Sequence, residues 1–150
     1  MLFNTQRIRS FSAILLLLIT LAGCSIRGNE VYQSNNVAID GFDPVSYFID
    51  GEARKGNSKY QIELLGVKWN FTNEHNKVMF EQSPQTYIPQ YGGYCAYAMS
   101  YGLVVSSDPY AFSIIENKLY LNYSFSVRDK WLRKTEQYIR EGDQKWMNKI

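Results

Sequence analysis

The chain is poor in the residues that usually carry catalysis or bind metals. Its 150 residues include two cysteines, Cys24 and Cys95, and one histidine, His75. A single His excludes the paired His-Glu-x-x-His zinc site. The cysteines lie far apart, so a Cys-x-x-Cys dithiol is excluded. Neither a Gly-x-Ser-x-Gly turn nor a Walker-type phosphate loop occurs, and no pair of carboxylates stands out for glycoside chemistry. No segment of 20–50 residues repeats, which excludes a solenoid. Only four prolines and an aromatic content of 15% argue against a disordered chain and for a packed one.

Long hydrophobic runs are also scarce, with one exception. Arg7 and Arg9 precede an apolar stretch from Phe11 to Leu21, followed by Leu21-Ala22-Gly23-Cys24. At about 1.5 Å per residue, this stretch is too short for a bilayer core of about 30 Å. A basic head, a short apolar run and small residues before a cut site make an export signal. The Leu-Ala-Gly-Cys run resembles a bacterial lipobox. It implies a signal peptide over 1–23, lipidation of Cys24, and a membrane held through that lipid. Ser25, rather than Asp, follows the Cys, which resembles a sorting signal for the outer membrane, facing the periplasm.

Removing residues 1–23 removes two of the sixteen Lys and Arg and none of the fourteen Asp and Glu, so the formal charge falls from +2 to zero. A chain without surplus positive charge is not expected to bind nucleic acid. Residues 24–36 are polar and aperiodic and are expected to be a tether. Residues 37–150 are long enough for one domain.

Within that domain, Val37-Ala38-Ile39 reads as a short strand. Asp43-Pro44 reads as an N-cap followed by Pro in the first helical turn, ahead of a short helix over 45–49. Residues 59–65 and 67–71 alternate apolar and polar positions around Gly66, as a β-hairpin does. Thr72 or Asn73 caps a helix over 73–82, which Ser83-Pro84 ends. Tyrosines at 87, 91, 94, 97 and 101 have helical spacing, but Pro89 and Gly92-Gly93 break the run. A loop to Gly93 and a short helix over 94–100 are expected. Residues 111–115 and 118–123 form a second hairpin around Glu116-Asn117. One amphipathic helix over 125–140 closes the domain. The fold class is therefore α+β, with two hairpins forming an antiparallel sheet and short helices between and after them.

Cys95 has two readings, a buried packing residue or a functional thiol. On a helix, Cys95 and Met99 share one face. With His75 they form a set of soft and borderline donors suited to copper or zinc. A cysteine at a helix start also favours the thiolate, which supports a redox or sensor role. Gly92 and Gly93 permit close backbone approach. With Asp43, Tyr91 and Tyr94 they are the candidate ligand pocket. No catalytic residue is identified, and no enzyme activity is expected.

Several runs together resemble a known family: Val37 to Phe48, Trp69-Asn70-Phe71, Phe80 to Tyr87, Pro89 to Ala96, and Lys118 to Asn122 with Trp131. They resemble the YHS-domain family in its exported bacterial branch, over about residues 37–147. The resemblance implies a small metal-associated module. Ser46 stands where the family's short form has its first Cys. Thr72 to Asn76 stands where later cysteines occur, with His75 as the donor there. A metal site in this chain would have to be rebuilt around Cys95.

Overall fold

The structure is a computed structural model that describes residues 29–149. The expected signal peptide and Cys24 lie outside the described residues. The fold is α+β, a single small domain with six strands and six α-helices among the described residues.

Strands β1 (Gln33–Ser34) and β2 (Val37–Ala38) form a small antiparallel ribbon. A turn over Ile39–Gly41 leads to helix α1 (Ser46–Ile49). Strands β3 (Asn57–Leu64) and β4 (Val67–Phe71) make the first expected hairpin. Leu65 and Gly66 both take positive φ at its turn, 56° and 71°, which matches the twist of the flanking strands. Val67, Trp69 and Phe71 are buried while Lys68 is exposed, so the alternation reads out as one inward face.

Helix α2 (Glu74–Gln82) starts at Asn73, whose side chain accepts from the Asn76 backbone N–H. Helix α3 (Pro84–Tyr87) carries Pro in its first turn, and a tight turn covers Gln90–Gly93. Helix α4 (Ala96–Ser100) follows. Strands β5 (Asp108–Ile115) and β6 (Lys118–Asn122) form the second hairpin, with positive φ at Glu116 and Asn117.

Four findings differ from the sequence reading. The hairpins lie in separate sheets, one of order β1-β2-β4-β3 and one of β5-β6. The four-stranded sheet is mixed, because β2 pairs parallel to β4. The closing helix is broken in two, α5 (Phe125–Leu132) and α6 (Thr135–Met147), at Lys134, whose backbone leaves helical geometry. The fold also begins before residue 37. Val31 is buried in the core and the Tyr32 N–H donates to the Gly92 carbonyl at 2.9 Å, so residues 31–36 belong to the domain.

The interior has two apolar clusters. Trp69, Phe71, Phe80, Val45 and Tyr47 dominate the first, and Tyr91, Met99, Tyr120 and Trp131 the second. Strand β6 joins them. Leu119 and Leu121 point into the first cluster and Tyr120 into the second, as the period of two along a strand requires. This seats α4, α5 and α6 on one side of β6 and the larger sheet on the other.

Candidate functional site

The sequence-predicted residues separate into three environments. Asp43 is fully buried and acts as a hydrogen-bond hub. Its Oδ1 accepts from the backbone N–H groups of Val45 and Ser46, at 2.9 and 3.4 Å. Its Oδ2 accepts from Thr72 N and Oγ1, both at 2.8 Å, and from Asn76 Nδ2 at 2.7 Å. Local donors anticipate its capping role, but the carboxylate faces protein and not a pocket. Its expected place in a ligand pocket is corrected accordingly. Ser46 Oγ likewise stays within the turn, donating to the carbonyls of Asp43 and Glu52.

Cys95 and Met99 form the second environment. Both are buried, and the Met99 N–H donates to the Cys95 carbonyl at 2.9 Å. Cys95 caps α4 rather than lying within it, because its ψ of 114° is extended. Its Sγ accepts from the Tyr123 N–H at 3.3 Å and lies 3.8 Å from Asn122 Oδ1, which also accepts from the Tyr97 N–H. Neither group that the sulfur touches by hydrogen bonding is cationic, and the thiol is 1% exposed. A reactive thiolate needs access and a nearby positive charge, so this setting is that of a packing residue.

His75 stands exposed on α2, outside both core clusters. Among the described residues its side chain makes no hydrogen bond or ion pair, and no group of three or more His, Cys, Asp or Glu is placed to hold a metal ion. Two expected donors are therefore buried and the third faces solvent. A soft-metal site needs donors converging on one point, and this donor set does not fit one.

The third environment is a cavity of about 570 Å³, and Tyr91 and Gly92 line it. Its other walls are residues 30–31, the β3–β4 turn at Leu65, the segment 85–90, and the last turn of α6 at Asp143, Trp146 and Met147. Pro89 and Gly92 build its floor. Tyr91 takes φ 56° and Gly92 φ 62°, two left-handed residues in succession. A Cβ on Gly92 would collide with the Glu30 carbonyl, and one on Gly93 would lie 2.7 Å from Ile39. Gly92 thus lets Glu30 and Val31 cross directly over the loop, while Gly93 makes room for Ile39.

Tyr91 is held by α6. Its hydroxyl donates to Asp143 Oδ1 at 2.9 Å and lies 3.3 Å from the Ile139 carbonyl. A Cβ on Gly142 would stand 2.8 Å from that hydroxyl, so the missing side chain makes its seat. Burial, reinforced by the Asp143 carboxylate, holds the phenol's pKa well above its ordinary value. Trp146 packs beside it, 6.2 Å from the Tyr91 ring and 6.5 Å from the Tyr94 ring. Tyr94 also meets Tyr32 at 5.7 Å.

Of the expected pocket residues, Tyr91 and Gly92 line the cavity, whereas Gly93 and Tyr94 lie beside it, outside its lining. Glu30, Val31, Asp143 and Trp146 were missed. The last two carry a legible signal. Ile139, Gly142, Asp143 and Trp146 continue the helical period of 3.6 beyond residue 140, where the sequence reading stopped the helix. The chain matches no family model, and neither a curated protein nor a solved structure matches it.

Proposed function

We propose that this chain is a non-enzymatic binding module of the YHS type, exported and held to the cell envelope by lipid on Cys24, that takes a small organic molecule in the cavity at Tyr91. The observation that carries the binding reading is the cavity itself. Its volume of about 570 Å³ falls in the usual ligand-site range of about 300–1,000 Å³. It combines aromatic and aliphatic walls with a few polar groups, as small-molecule sites do. The exported, anchored part of the reading rests on the lipobox-like run. Copper or zinc at Cys95 comes second, because His75 is exposed while Cys95 and Met99 are buried. A single-thiol redox role comes third for the same burial.

The test uses a built-in reporter. Of the three tryptophans, Trp69 and Trp131 are fully buried and Trp146 lies at the cavity. A panel of small aromatic, aliphatic, neutral and charged compounds should include binders that change the fluorescence and raise the thermal midpoint. Trp146→Ala should remove the binding, and Cys95→Ser should keep it. Binding lost in Cys95→Ser but kept in Trp146→Ala would transfer the site to the thiol. Cys24→Ser should move the protein from the membrane fraction to the soluble one.

A further inference from the structure

The next step rests on the cavity reading above and names the class of ligand. We propose that the cavity selects an organic ammonium ion with an apolar body over neutral or anionic molecules of similar size. Among the described residues, the ionisable side chains on its wall are Glu30, Asp143 and Tyr91, with no Lys, Arg or His. The Tyr91 proton is committed to Asp143 Oδ1. Among the described residues, Asp143 Oδ2 and the Glu30 carboxylate have no hydrogen-bond or ion-pair partner. Both carboxylates are exposed, while Val31 and Tyr91 are buried. Negative charge therefore sits at the mouth and apolar surface inside.

Trp146 adds a second preference of the same sign. It is half-buried between the Tyr91 and Tyr94 rings, and an indole face is the strongest aromatic partner for a cation. A ligand placing its ammonium group near Glu30, Asp143 and Trp146 would set its apolar body against Val31 and Ile88. An anion there would meet two carboxylates and, among the described residues, no compensating cation on the wall.

The experiment titrates the full chain, in neutral detergent, with benzyltrimethylammonium, benzyl alcohol and benzenesulfonate. Trp146 fluorescence and calorimetry are followed together. The cation should bind saturably and at least about tenfold more tightly than benzyl alcohol, and benzenesulfonate should not bind. Glu30→Gln with Asp143→Asn should weaken the cation about tenfold more than it weakens benzyl alcohol. Added salt should weaken the cation alone. Equal binding of benzyl alcohol, or tighter binding of benzenesulfonate, would overturn the ammonium preference and leave the cavity reading standing. No saturable response to any of the three would overturn the ammonium preference outright. The wider compound panel then decides the cavity reading separately.

Discussion

Asp43 accepts two hydrogen bonds from Thr72 on one carboxylate oxygen, from its backbone N–H and its hydroxyl, each at 2.8 Å. Thr72 follows β4 and precedes α2, while Asp43 precedes α1, so one carboxylate ties together three elements. Asn76 adds a bond from within α2 at 2.7 Å. Asp43→Ala would strand buried donors on Val45, Thr72 and Asn76. Hydrogen bonds to a charged group contribute about 1.5–3 kcal/mol each, and an unsatisfied buried donor costs about 1–3 kcal/mol. A loss of about 3 kcal/mol or more is expected in urea unfolding. A loss below about 1 kcal/mol would show that the hub contributes little.

Cys95 should behave as an inert interior thiol. A thiol reagent added to native protein should label the Cys95 peptide only as fast as the domain unfolds, and denaturant should make labelling immediate. Cys95→Ser should cost about 1 kcal/mol through poorer packing. Rapid labelling of the native state would restore the redox reading.

Alkaline pH should unfold the domain before the tyrosines titrate normally. Burial, with Asp40 beside it, pushes the Tyr32 phenol up to about 12. Burial, with Asp143 and Glu116 nearby, does the same for Tyr120. Tyr91 shifts the same way. In each case the folded state holds the proton more tightly than the unfolded chain, whose phenols titrate at about 10. The stabilisation is complete below pH 10 and is lost as pH rises from about 10 towards 12. Thermal midpoints measured from pH 8 to 12, with tyrosinate absorbance, should fall together in that window. A midpoint unchanged to pH 12 would contradict the burial of these phenols.

Local chemistry was legible in the sequence and long-range pairing was not. Asn73 caps α2 through a residue three positions away, and the alternation of Val67, Trp69 and Phe71 follows from strand geometry alone. Asp43 could be read as a cap, because Val45 and Ser46 are its neighbours. Its bonds to Thr72 and Asn76 join residues about thirty positions apart, and no local pattern encodes them. The parallel pairing of β2 with β4 is hidden for the same reason. The break at Lys134 carries no Pro or Gly to announce it. At the site, Gly92-Gly93 signalled close approach but not which segment approaches. Glu30 and Val31 sit in a polar stretch that resembles a linker until Gly92 is seen beneath it.

That crossing has a mechanical consequence. Tension applied through the N-terminal side of the chain enters the domain at Val31 and Tyr32, where the Tyr32 N–H holds the Gly92 carbonyl. The first structure to bear the load is thus the wall of the cavity, ahead of either sheet. Pulling Val31 outward would strain the Tyr91 loop, and a molecule seated against Val31 would resist that displacement. Occupancy of the cavity and the force needed to peel the N-terminal segment away should therefore rise and fall together.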